Sequence, residues 1–199
     1  MALVALDVAV LPPPDVSRRA VELSASLPEA DSQGLRLGSD CFPHVTLTQQ
    51  FVPAATLEAA LDRVDAVLAG ITPLRLTVSG GGKSNSAVWM TIEPSPALID
   101  LHRRLMDALQ AFEQPDGTAD GFVDAVARPE DIAWVASYRR ESSFARFAPH
   151  ITLGHALEPP AVEPLTFEAT RIAACQLGRF CTCRRVLRSW PLRSGTPGT

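Results

Sequence analysis

The sequence predicts an α+β fold assembled from two similar lobes of antiparallel sheet, and three observations predict it. Helix-period and strand-period segments do not alternate in βαβ order; strands arrive in hairpin-linked groups, which disfavours a doubly wound parallel sheet. A pentapeptide recurs: Pro43-His44-Val45-Thr46-Leu47 returns as Pro149-His150-Ile151-Thr152-Leu153, as expected of a duplicated lobe. The chain has 199 residues, 46% hydrophobic and 20% charged, enough to bury a core in one bilobal domain over residues 1–193, with a frayed tail over 194–199.

The elements follow in order. Leu3 to Leu11 is rich in Val and Leu and reads as a buried strand closed by Pro12-Pro13-Pro14. Asp15 is placed to cap a helix through Val16, Ala20, Leu23 and Leu27 that Pro28 stops. A loop over 29–40 feeds a strand from Cys41 to Val52. Thr56 to Ile71 is amphipathic through Leu57, Leu61, Val64 and Leu68. Leu74–Ser79 and Ser86–Glu93 read as strands joined by a loop over 80–85. Pro96 to Phe112 is the clearest helix, with a stripe of Leu98, Leu101, Leu105 and Leu109, and Ser95 ready to cap it. Residues 114–129 read as an exposed loop and Asp131–Arg140 as a short helix. Three more strands start near Phe147, Leu165 and Arg179.

Composition excludes several classes. A net charge of −4 is not that of a protein tracking long duplex nucleic acid, which needs a broad basic face. The apolar opening carries Asp7, lacks a basic leader region and runs into prolines, so neither a signal peptide nor a membrane span is expected, and the location inferred is cytoplasmic. Cys41, Cys175, Cys181 and Cys183 are read as reduced packing residues, since Cys181-Thr182-Cys183 lacks the spacing and partners of a zinc site. No metal or other cofactor is expected.

The repeated motif carries the chemistry. In a strand, side chains alternate between faces, so His44 and Thr46 share one face while Val45 and Leu47 anchor the other; His150 and Thr152 do the same against Ile151 and Leu153. Two imidazoles and two hydroxyls converging on one ligand suit phosphodiester chemistry. One group takes a proton from the nucleophile, another protonates the leaving oxygen, and hydroxyls hold the non-bridging oxygens.

These paired His-x-Thr motifs, each followed by an apolar residue, resemble the signature of the 2H phosphoesterase superfamily, which includes 2′-5′ RNA ligase-like proteins and cyclic nucleotide phosphodiesterases. The resemblance implies a bilobal fold with helices packed outside the sheets and a central cleft on a pseudo-two-fold axis. It implies acid/base roles for His44 and His150, phosphate binding by Thr46 and Thr152, and no metal. The expected activity is hydrolysis of 2′,3′-cyclic or related cyclic phosphates on nucleotides or RNA ends, with 2′-5′ ligation as a related reaction and linear 2′-5′ linkages as the runner-up substrate. The partner is then a nucleotide or an RNA end, and the protein a monomer. A non-catalytic nucleotide-binding module using the same cleft is the alternative. A metallohydrolase is disfavoured because neither motif brings the Asp or Glu partners that such sites normally add.

Among secondary candidates, Tyr138 and Arg146 are expected to touch substrate, with Arg139, Arg140 and Phe147 as weaker ones. Strict alternation points His155 away from His150, so it is read as structural, as is His102 beside its helix stripe. Gly82-Lys83-Ser84 ends like a Walker loop but lacks the earlier glycine and the following helix, so Lys83 is read as a solvated turn residue.

Overall fold

The structure, a computed structural model, describes residues 2–193, so the tail expected over 194–199 lies outside the described residues. Two four-stranded antiparallel sheets form the framework. The first runs in the order β2 (Val45–Pro53), β1 (Leu3–Val10), β7 (Arg171–Gly178), β8 (Thr182–Pro191). The second runs β5 (His150–His155), β4 (Ala87–Ile92), β3 (Leu74–Ser84), β6 (Leu165–Ala169). Both motif strands, β2 and β5, are thus edge strands, and they meet each other across the molecule.

Similar lobes are present, but they are not two consecutive stretches of chain. After β2 the chain crosses to build β3 and β4 of the second sheet; after β5 it adds β6 there and returns to the first sheet with β7 and β8. The run expected from Leu165 is two strands that part at Thr170 and belong to different sheets. No Gly or Pro marks that break: the run Glu168-Ala169-Thr170-Arg171 carries no turn signal.

The helices cross as well. α1 (Pro14–Ser26) leaves the first sheet yet packs on β5, and α3 (Pro96–Leu109) leaves the second yet packs on β2. Their stripes, with α2 (Leu57–Leu68), close one continuous core around Leu6, Val8, Leu61, Leu101 and Leu105. Each such leucine contributes about 1.5–3 kcal/mol on burial. Ser95 caps α3 by accepting from the Leu98 N–H at 3.2 Å. At α1 the cap is Pro13 instead, and Asp15 sits in the first turn, where its charge meets the positive helix end.

Two other expectations change. α4 (Pro129–Glu141) is not outside: it lies against β2 on the cleft-bearing face of the first sheet, with Val135 in a small core of Ala5, Phe51, Phe122 and Leu177. The expected loop over 80–85 is strand, and the chain reverses only at Asn85, with φ 52°. Gly82 explains this. A Cβ there would collide with the Trp89 indole nitrogen, so the glycines leave space in the sheet for the ring.

Candidate active site

The motif leucines carry the local geometry. Along β1 and β2, Ala9 pairs with Thr46 and Val8 with Thr48, leaving Leu47 as an extra residue; along β4 and β5, Trp89 pairs with Thr152 and Val88 with Gly154, leaving Leu153 extra. Each motif therefore contains a β-bulge at the same position, and a bulge resets the alternation of faces. The residue five beyond each histidine returns to the cleft face. Gln49 and His155 consequently line the same cleft as His44, Thr46, His150 and Thr152, which corrects the structural reading of His155.

Each bulge has its own support from the opposite lobe's helix. His102 of α3 donates from Nδ1 to the Leu47 carbonyl at 2.6 Å, accepts the Phe144 N–H on Nε2 at 2.8 Å, and stacks on Phe147 at 3.9 Å. It is fully buried. At the other bulge Gly154 has φ +148°, and a Cβ would meet Leu27, the residue that ends α1, at 2.9 Å, so both backbone and packing require glycine.

The cleft encloses about 630 Å³. His44 and His150 are held in the same way: each Nδ1 donates to the carbonyl two residues earlier, Phe42 and Ala148 respectively, both at 2.7 Å. With Nδ1 carrying its hydrogen, Nε2 of each ring is the nitrogen left for proton transfer. Burial, then the nearby His44 charge, hold the His150 pKa below the ordinary value, although its carbonyl bond acts the other way. The Trp89 ring stands 5.0 Å from the His150 ring, tilted by 39°.

His44 has a different neighbour, and residue-by-residue reading of the sequence passed it over. The Asp7 carboxylate, fully buried on β1, places Oδ2 3.8 Å from His44 Nε2 and accepts there from Thr46 Oγ1 at 2.8 Å and Gln49 Nε2 at 2.7 Å. Gln49 Oε1 in turn accepts from Trp134 Nε1 at 2.9 Å. Burial raises the Asp7 pKa, against the pull of His44 and the two hydrogen bonds. The available signal was the single charge in an otherwise apolar strand.

Of the remaining candidates, Tyr138 lines the cleft from α4 with its phenol pushed up by burial, so its hydrogen stays in place. Arg146 reaches the cleft rim but is exposed and donates to the Glu141 carboxylate at 2.8 Å. Arg139 points elsewhere, paired with Glu113 and the Met106 carbonyl, and Lys83 is bound to Leu157 O and Glu158. Sequence reading missed Arg128, Trp134 and Phe180, which form the wall beside His155; the Arg128 guanidinium lies 4.1 Å over the Phe180 ring and pairs with Asp131 at 2.6 Å. The three came together only through the packing of α4 against the β7–β8 turn.

One donor set could receive a metal ion: Asp7, His44 and Cys183 present ligand atoms within 4.8 Å of one another. Burial raises the Cys183 thiol well above its usual value, and Asp7 Oδ2 already accepts two hydrogen bonds. The set is therefore three donors, one of them protonated, where a structural zinc takes four.

No helix among the described residues is long and apolar enough to cross a membrane. A family model of the 2'-5' RNA ligase superfamily matches residues 12–184. Among solved structures, a protein described as a phosphoesterase is 18% identical, with a TM-score of 0.61 over 96% of this chain and 99% of its own. TT0787 of Thermus thermophilus is 16% identical, with a TM-score of 0.64 over 96% and 100%. E. coli LigT, solved with phosphate, is 18% identical, with a TM-score of 0.60 over 98% and 100%. At these identities the likeness is one of fold. No curated protein matches the sequence. Since the matched stretch spans most of the chain and contains both motifs, this protein belongs to the 2'-5' RNA ligase superfamily of two-histidine phosphoesterases.

Proposed function

We propose that the protein hydrolyses 2′,3′-cyclic or related cyclic phosphates on nucleotides or RNA ends, by acid/base catalysis between His44 and His150. The observation that carries this reading is the matched tethering of the two rings. Each Nδ1 is spent on a backbone carbonyl, so each Nε2 is committed to chemistry in one cleft. E. coli LigT has been solved with 3'-AMP, ATP and NADP+, which supports a nucleotide as the ligand class.

His150, kept neutral by burial, takes a proton from water as the water oxygen attacks phosphorus. The bond from phosphorus to one ribose oxygen breaks, and His44 gives that oxygen its proton, leaving one phosphomonoester. With the 5′-hydroxyl of a second strand in place of water, the same transfers break the bond from phosphorus to the 3′ oxygen, which takes the His44 proton, and make a 2′-5′ linkage. Thr152 makes no internal side-chain hydrogen bond among the described residues and can donate to a non-bridging oxygen, whereas Thr46 spends its hydrogen on Asp7. The exposed Trp134 ring on the cleft wall offers a stacking surface for a base.

Turnover of 2′,3′-cyclic nucleotides by the purified protein tests the reading; tight binding without turnover would instead make the cleft a nucleotide-holding module. Thr152→Val is expected to lower kcat/KM by about ten- to a hundredfold, the value of one charge-assisted bond, and Thr46→Val by less. Equal losses at the two positions would mean that both hydroxyls reach the phosphate. Activity is expected to persist after exhaustive chelation, since imidazoles supply both transfers, and added zinc is expected to inhibit by occupying His44 Nε2. Loss of rate on chelation with recovery on adding metal would overturn the metal-free mechanism.

A further inference from the structure

The two half-sites correspond position by position, and this makes a difference in charge between them informative. Ala9 stands opposite Thr46 as Trp89 stands opposite Thr152, and Asp7 stands opposite Gln49 as Ala87 stands opposite His155. One half-site thus carries a buried carboxylate where the other carries a methyl group. We propose that Asp7 is a positioning residue that makes the equivalent half-sites unequal: it keeps a proton on the His44 side of the cleft and fixes Thr46 and Gln49, so that His44 is the donor of the pair.

Asp7 is a poor choice for the fold alone. Its Oδ1 is buried without a partner, and an apolar side chain would spare that cost. The groups facing it are His44 at the start of β2, Tyr138 on α4, Cys181 in the β7–β8 turn and Cys183 on β8, with Cys175 beside it on β7. Burial holds Tyr138, Cys181 and Cys183 in their protonated, neutral forms, so none of the three can offset a negative charge. His44 is the one group among them able to become a cation. An ionised Asp7 without a proton on His44 would be an uncompensated buried charge, and His44 Nε2, 3.8 Å away, is where a compensating proton can sit. His150 has His44 and the Trp89 ring beside it and no carboxylate, and burial holds its pKa below the ordinary value. The contact also extends outward, since Trp134 at the cleft rim holds Gln49, and Gln49 holds Asp7.

The inference rests on the proposed two-histidine reaction, and its test separates the two. Imidazole titration by nuclear magnetic resonance in the wild-type protein is expected to show His44 losing its proton at higher pH than His150, whether or not any substrate turns over. Asp7→Asn keeps the size and the acceptor oxygen and is expected to move the His44 titration down by a unit or more. In the same variant the alkaline limb of the rate profile should move down with it. kcat on a cyclic nucleotide should fall about ten- to a hundredfold with KM little changed, while the loss on an activated ester whose leaving group needs no proton should be several-fold smaller. If Asp7→Asn does not fold, the wild-type order of titration decides alone. His44 titrating at or below His150, or unmoved by Asp7→Asn, overturns the role of Asp7. A wild-type protein with the expected titration order but no turnover overturns the reaction and leaves Asp7 standing.

Discussion

His44→Ala and His150→Ala are each expected to lower kcat on a 2′,3′-cyclic nucleotide by about 10²–10⁴-fold, the usual contribution of one general acid or base. Because both serve one transition state, the double variant should lose far less than the product of the single losses. The wild-type profile should be bell-shaped. Its acid limb reports the proton that must leave His150, and with that pKa held below the ordinary histidine value the rate should stay high on the acid side of neutrality. Its alkaline limb reports the proton that must remain with His44. Each single variant should lose one limb from its residual activity, and an activated ester should rescue His44→Ala alone. Rescue of both, or of neither, would refute the division of labour.

His102→Leu is expected to be the most damaging change outside the cleft. It leaves the Leu47 carbonyl and the Phe144 N–H buried without partners, at a cost of about 2–4 kcal/mol in total. For a chain of this size that is roughly 5–15 °C in Tm. Burial lowers the His102 pKa in the folded protein, and protonating Nε2 would set two N–H groups against each other. The unfolded chain therefore binds the proton more readily. The stabilisation from His102 is complete above the unfolded pKa, about 6.5, and drains away as pH falls below it. Denaturation curves across that window should show the wild type weakening towards acid relative to His102→Leu. A difference between the two that does not vary with pH would mean His102 is not held neutral.

The candidate quartet was legible because it repeats: His44, Thr46, His150 and Thr152 stand at fixed spacing in strands whose apolar partners mark the buried face. Alternation then failed three residues on, at Leu47 and Leu153. A bulge is set by the pairing of two strands and is not specified by the alternation of either one. That is why Gln49 and His155 escaped, although their equal offset from the two histidines, with Gly154 beside one of them, was the trace available. Asp7 was visible as a charge inside an apolar strand, but its meaning depends on β2 lying alongside. Trp134, Arg128 and Phe180 could not be read at all, because they meet only when α4 lies over the first sheet. The helix stripes of α1, α2 and α3 were legible because a 3.6-residue period is a local property.

The interleaved strand order has a consequence for how the molecule comes into being. In the first sheet β1 is flanked by β2 on one side and by β7 on the other, and β7 begins at Arg171, far along the chain from Leu3. Contacts of such sequence separation give a high contact order, and high contact order slows folding because loop closure must precede the contacts that reward it. The second sheet draws on residues 74 to 169 and can assemble sooner, on the ribosome or on dilution from denaturant. Until β7 arrives, the inner edge of β1 is an open row of peptide groups able to pair with another chain. The half-site with the carboxylate is thus the last to mature, and catalytic power should return on refolding later than the secondary structure does.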